Sequence, residues 1–134
     1  MIMELDLQSD VPIYTQLMEQ IIEGIASGDL SPGEALPSVR SLAADIGINL
    51  HTVNKAYALL KQEGYIQIHR KKGVVVAPRD ELPPVTEAYK AKLNVQLRPL
   101  AAEAICRGLS QGELAEMIDR LYRDIQTKNN TGSD

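Results

Sequence analysis

Residues 38–64 read SVRSLAADIGINLHTVNKAYALLKQEG, and this stretch decides the fold. Val39, Leu42, Ala43 and Ile46 recur at i, i+3, i+4 and i+7, the spacing of one helical face, and Gly47 ends the run. Two residues later Asn49, a preferred capping residue, opens a second run in which Val53, Ala56, Tyr57 and Leu60 share a face until Gly64. Two helices of about ten residues, separated by a turn containing glycine, predict a helix-turn-helix unit. The outer face of the second helix is unusual, with Leu50, His51, Asn54 and Lys55 where an ordinary solvated surface carries Glu and Lys.

Upstream, Leu5 and Leu7 alternate with Glu4, Asp6 and Gln8, the pattern of a short strand. Asp10 is placed to cap a helix whose first turn tolerates Pro12; Ile13, Leu17, Ile21 and Ile25 then follow at helical spacing until Gly28. The stretch LSPGEALPS, residues 30–38, is loop by its Pro and Gly content. Downstream, Tyr65–His69 and Val74–Ala77 read as two strands joined by the basic turn Arg70-Lys71-Lys72-Gly73. A helix-turn-helix followed by such a hairpin carries a wing, and a turn of this charge suits phosphates.

The chain has 134 residues, room for one domain or a compact domain with a helical appendage. Its net charge of −4 argues against nucleic acid only on average. Residues 1–36 hold seven acids and no Lys or Arg, whereas residues 37–79 hold seven bases (Arg40, Lys55, Lys61, Arg70, Lys71, Lys72, Arg79) against Asp45 and Glu63. Binding answers to that local field rather than to the total. No apolar run approaches the ~18 residues of a membrane span, and the start MIMELDLQSD is acidic where a secretory signal is basic. A cytoplasmic protein with no membrane partner is the expectation. Cys106, the single cysteine, excludes an internal disulfide and a thiolate metal cage, and reads as a small buried helical residue. With two His, one Cys, no metal-ligand spacing, no phosphate-binding glycine motif and no nucleophile elbow, there is no catalytic constellation. No metal or other cofactor is expected.

After Asp80-Glu-Leu-Pro-Pro84, the residues Val85, Tyr89, Leu93, Leu97, Leu100 and Ala104 form an apolar stripe at helical spacing, with a kink or break expected near Val95–Pro99. Gly108 ends it, and Ser110-Gln-Gly-Glu113 is a capping-box pattern ahead of Leu114, Met117, Ile118, Leu121 and Ile125. Two amphipathic helices joined by a short turn cover only part of each other's apolar faces. The economical cover is a second copy related by a two-fold axis; folding back onto the chain's own winged helix is the other solution. The expected organisation is a winged helix-turn-helix over residues 1–79, a linker over 80–84, a helical dimerisation region over 85–126 and a disordered tail over 127–134. The fold class is mainly α with a small β-wing, an α+β chain.

Residues 12–66, from Pro12-Ile-Tyr-Thr-Gln to Glu63-Gly64-Tyr-Ile, resemble the winged-helix domain of GntR-type bacterial transcription regulators. The resemblance extends to Ala77 and rests on Gly28-x-Leu30-x-Pro32-Gly33, Leu36-Pro37-Ser38-x-Arg40-x-Leu42-Ala43, Thr52-Val53-x-x-Ala56-Tyr57-x-x-Leu60 and Glu63-Gly64, in order and correctly spaced. The short helical tail is similar to the small YtrA-type branch of that family. The resemblance implies a DNA contact for Arg40, which matches the family's arginine after Leu-Pro-Ser. In helix-turn-helix docking, Asn49, Leu50, His51 and Thr52 form the end of the helix that reaches base edges, with Asn54 and Lys55 one turn further on. Many relatives have Gly-x-Gly at the wing tip. Here Lys71 replaces the first glycine and only Gly73 remains, so phosphate contact by Arg70, Lys71 and Lys72 replaces close backbone insertion.

The implied function is a homodimeric repressor on double-stranded DNA, its operator near-palindromic with half-sites about one helical turn apart. Its own operon and a transporter operon are the targets that family analogy suggests, and the sequence names no small-molecule effector. The rival from another class is a winged-helix protein-interaction module, which has no need of a basic wing beside Arg40.

Overall fold

The computed structural model describes residues 3–131. In chain order its elements are α1 (Ile13–Ser27), α2 (Val39–Ile46), α3 (Leu50–Glu63), β1 (Ile66–His69), β2 (Gly73–Val76), a 3-10 turn (Arg79–Glu81), α4 (Glu87–Arg107) and α5 (Gln111–Thr131). Five helices with one small antiparallel sheet make the chain mainly α with a β-wing, as its patterning predicts. The described residues divide into two units, 3–83 together with 126–131, and Pro84–Ile125. Among the described residues, no helix is long and apolar enough to cross a membrane.

The helix-turn-helix forms because both helices are capped locally. The Ser38 hydroxyl accepts from the Ser41 amide at 3.1 Å at the start of α2. Gly47 closes α2 with φ 68°, a left-handed conformation that a side chain disfavours, and its amide donates to the Ala43 carbonyl. The chain then turns through Ile48 and Asn49 into α3. The inner stripe of α3, Val53, Ala56, Tyr57 and Leu60, is buried against Leu17 and Ile21 of α1, Leu42 and Ala43 of α2, Ile66 of β1 and Val76 of β2. Tyr57 adds a polar tie: its hydroxyl donates to the Pro37 carbonyl at 2.8 Å, joining α3 to the loop ahead of α2.

The wing pairs Ile66 with Val76 through to His69 with Gly73, around the turn Arg70–Lys72. Gly73 has φ 74°, which completes a short hairpin of this kind. The expected loop 30–38 also contributes to the sheet. Leu36 donates to the Val74 carbonyl at 2.8 Å and Val76 to the Glu34 carbonyl at 2.9 Å, so β2 is flanked on both edges and Val75 and Val76 are buried.

Several expectations are corrected. The amino-terminal alternation is not a strand: Met3 and Leu5 are half-buried and Glu4 and Asp6 exposed, but among the described residues no second strand lies alongside. Glutamine side chains of α1 take that place. The Glu4 amide donates to Gln20 Oε1 and the Asp6 amide to Gln16 Oε1, both at 2.9 Å, and Gln20 Nε2 and Gln16 Nε2 donate back to the carbonyls of Glu4 and Asp6. Four helical residues rise about 6 Å and two extended residues about 6.6 Å, so an i,i+4 glutamine pair matches an i,i+2 backbone pair. Asp10 does not cap α1; Pro12 holds the capping position without a side-chain bond, its missing amide being one the first turn would leave unpaired anyway. α4 does not break at Pro99. Every residue from Pro84 to Glu103 is exposed, so the carbonyl that proline leaves unbonded lies in an exposed stretch. Cys106 is exposed rather than buried, because α4 has no buried residue at all. Residues 127–131 of the expected disordered tail continue α5, each added residue of a nucleated helix gaining a backbone bond; residues 132–134 lie outside the described residues.

Burial pushes the Tyr57 phenol up to about 12. Below pH 10 the phenol is neutral in folded and unfolded chains alike, and its contribution is fully present. Between pH 10 and about 12 the unfolded phenol ionises first, so stability falls as pH rises. Tyr57→Phe is expected to lower the unfolding free energy at pH 7 by about 1 kcal/mol and to flatten the profile above pH 10. Denaturant titrations of both proteins at pH 7 and pH 11 check this, and superimposable profiles would refute it.

Candidate nucleic-acid interface

The outer surface of the first unit gathers the residues singled out from the sequence. Arg40 lies exposed on the first turn of α2, and Asn49, His51, Asn54 and Lys55 are exposed at the start of α3 and along its outer face. His51, Asn54 and Lys55 share that face through their i,i+3 and i,i+4 spacing, the reverse of the buried stripe. Leu50 and Thr52 are half-buried, and Leu50 packs against the core cluster, so its apolar character has an explanation inside the fold.

Asn49 is committed to capping. Its Oδ1 accepts from the His51 amide at 2.7 Å, and its own carbonyl accepts from Thr52 and Val53. The carbonyl oxygen of its side chain is therefore occupied. His51 and Asn54 make no side-chain hydrogen bond among the described residues, which leaves an imidazole and a carboxamide free to pair with an external partner. Lys55 is placed by a contact the sequence did not announce: its Nζ stands 4.1 Å from the ring centroid of Tyr14, on the first turn of α1.

The wing presents Arg70, Lys71, Lys72 and Gly73 exposed at its tip. Beside the turn, Ile68 is 58% exposed, an apolar side chain on the open surface of β1 that patterning alone does not single out. The base of the wing is tied down: Gln67 Nε2 donates to Glu81 in the 3-10 turn, and Gln67 Oε1 lies 3.1 Å from His69 Nε2.

Four ion pairs run along the helices of the second unit. Lys90–Glu87, Arg107–Glu103, Arg120–Glu116 and Arg123–Asp119 pair along α4 and α5 at 2.8–3.5 Å. Among the described residues, Arg40, Lys55, Arg70, Lys71 and Lys72 form no ion pair. Cations held without carboxylate partners keep their full charge for an anionic ligand, and nothing has to be broken to release them.

In the second unit, Thr86 caps α4 and Ser110 and Glu113 form the reciprocal capping box of α5, Ser110 Oγ accepting from the Glu113 amide at 3.1 Å. Val85, Tyr89, Leu93, Leu97 and Leu100 are exposed, as are Met117, Ile118 and Leu121, while Ala104, Leu114 and Ile125 are half-buried. Val95 and Ile105 widen the apolar surface beyond the expected stripe, at 71% and 75% exposed. No residue of α4 is buried, and Ala104, Leu114 and Ile125 are only half-buried, so most of the apolar surface of α4 and α5 is exposed among the described residues.

Residues 13–76 match the family model for bacterial regulatory proteins of the gntR family. Over 123 residues the chain is 34% identical to the HTH-type transcriptional repressor YtrA of Bacillus subtilis (strain 168), covering 92% of this chain and 94% of that protein. Among solved structures, a transcriptional antiterminator from Listeria monocytogenes EGD-e superposes with TM-score 0.84 at 27% identity, over 93% of this chain and 92% of that one. The DNA-binding domain of AraR in complex with operator ORX1 superposes with TM-score 0.50 at 28% identity, over 56% of this chain and 96% of that one.

The capping role of Asn49 is open to a direct check. Asn49→Ala is expected to lower the unfolding free energy by about 1 kcal/mol, and Asn49→Gly by only a few tenths. Equal stability of Asn49→Ala and the parent chain in denaturant titration would show that the cap contributes nothing.

Proposed function

The chain belongs to the gntR family of bacterial regulatory proteins, and from that membership we propose that it is a homodimeric repressor occupying a near-palindromic operator. The observation that carries the DNA reading is the set of exposed, ion-pair-free cations flanking the outer face of α3. Arg40, Lys55 and the wing residues Arg70, Lys71 and Lys72 set register on the phosphate backbone. His51 and Asn54 read base edges, Asn49 holds the helix start, and Leu50 and Thr52 support it from the half-buried side. An Asn side chain can pair bidentately with adenine, and an imidazole can donate to or accept from a base edge.

The dimer is supported by the uncovered face of α4 and α5. Leu93, Leu97, Leu100, Met117, Ile118 and Leu121 lie in water on a single chain, and a second copy packed by a two-fold axis removes them from it. Two winged helices linked this way bind two half-sites, and the second contact benefits from effective concentration rather than new chemistry. Repression follows from occupancy of the operator. The chain's own operon and a transporter operon are the proposed targets.

The full chain, incubated with fragmented genomic DNA at near-physiological salt, is expected to retain fragments sharing a compact inverted repeat. Retention without a shared sequence counts against the reading and favours a protein partner for the α3 face. Asn54→Ala/Lys55→Ala is expected to weaken binding to the retained repeat at least tenfold with little change in Tm. In sedimentation, Leu93→Glu/Leu121→Glu is expected to convert a dimer to monomers and to lower operator affinity by a further ~10²-fold or more. A monomeric parent chain would refute the dimer and leave the DNA reading standing.

A further inference from the structure

Lys55 stands on the outer face of α3 with no carboxylate partner among the described residues, yet its ammonium is not at large: it lies 4.1 Å from the centre of the Tyr14 ring. Tyr14 is half-buried in the first turn of α1 and packs against the core cluster, so the ring is held by the fold. The two residues come from different helices, α1 and α3, whose packing brings them together. A lysine stem has four rotatable bonds, and an unheld ammonium samples the whole outer face of its helix. The negative face of an aromatic ring attracts a cation without neutralising it. A carboxylate at the same place would also order the lysine, but it would cancel the charge a phosphate needs. The ring fixes position and leaves the charge intact.

We propose that Tyr14 is a positioning residue for DNA binding: its ring holds the Lys55 ammonium on the α1 side of the recognition face. There Lys55 meets a backbone phosphate, and the groove-facing surface is left to His51 and Asn54. The inference rests on the DNA reading given above. It adds to α3 a residue of α1 that touches no base and acts through another side chain.

The test is a double-mutant cycle on the full chain. Affinity for the inverted-repeat fragment retained from genomic DNA is measured by fluorescence anisotropy for the parent, Tyr14→Leu, Tyr14→Phe, Lys55→Met and Tyr14→Leu/Lys55→Met, each across a salt series. Tyr14→Leu is expected to weaken binding about two- to fivefold per half-site, and Tyr14→Phe to match the parent. Lys55→Met is expected to reduce the slope of log affinity against log salt by about 0.9 per protomer, and in its background Tyr14→Leu adds no further loss. An undiminished Tyr14→Leu loss in the Lys55→Met background overturns the proposal, since the ring then acts through packing alone. So does a Tyr14→Phe loss as large as that of Tyr14→Leu, which would make the hydroxyl itself the contact. If the parent chain binds no fragment, the DNA reading fails and this inference with it; binding without coupling sinks the inference alone.

Discussion

A helix with water on one side can bury only one stripe, and the winged-helix unit is organised around how α3 spends that stripe. Val53, Ala56, Tyr57 and Leu60 are buried together against α1, α2 and both wing strands. Each fully buried aliphatic side chain is worth about 1.5–3 kcal/mol, so the orientation of α3 about its own axis is set by its inner face. The outer face follows as a geometric consequence. With Val53 and Tyr57 turned inward, Asn54 and Lys55 must turn outward, and no rotation of the helix exchanges them without exposing the core. Recognition residues on such a helix are thus aimed by residues that never meet the ligand.

Elements whose determinants lie close together in the chain are legible in the sequence. The stripes of α2 and α3, the glycines that end α1, α2 and α3, and the basic turn of the wing all depend on residues close in sequence, and each stands where the pattern places it. Failures occur where a distant group decides. The alternation of Leu5 and Leu7 with acids is a valid strand pattern, but its hydrogen bonds go to Gln16 and Gln20, whose side chains imitate a neighbouring strand. The loop around Ala35 has turn composition, yet an open edge of β2 recruits its backbone. Tyr14 belongs to the apolar pattern of α1, and nothing local reveals that Lys55 will stand over its ring. The inner positions of the candidate site were legible through periodicity; the placement of Lys55 was not, because it is a tertiary fact.

The second unit reverses the relation between pattern and packing. Its caps are local: Gly108 ends α4 and the Ser110–Glu113 box starts α5 as expected, and Thr86, which the sequence reading did not single out, starts α4. Most of its apolar stripe is exposed, with Ala104, Leu114 and Ile125 only half-buried. Burial cannot be inferred from a stripe alone, because a stripe does not say which surface it meets. This is why Cys106 is exposed where a buried residue was expected. Most helical stability in proteins comes from packing an apolar face. α4 and α5 carry Tyr89, Leu93, Leu97, Leu100, Met117, Ile118 and Leu121 on open surface, and contiguous exposed apolar surface of this kind commonly marks an interaction site.

The distribution of ion pairs fits this division of labour. Along α4 and α5, Lys90, Arg107, Arg120 and Arg123 pair with carboxylates one turn away, while among the described residues Lys92 and Arg98 do not; each such pair supports a solvated helical face and contributes a few tenths of a kcal/mol. In the winged-helix unit the cations of α2, α3 and the wing have no such partners among the described residues, although Asp45 and Glu63 lie in the same stretch of sequence. Pairing them would add little stability, since exposed pairs are worth at most about 1 kcal/mol, and would forfeit the counterion release that drives phosphate binding. Lys55 shows how order and charge are reconciled at one position. An aromatic ring can hold an ammonium still while leaving its charge uncancelled, so the residue is both placed and available.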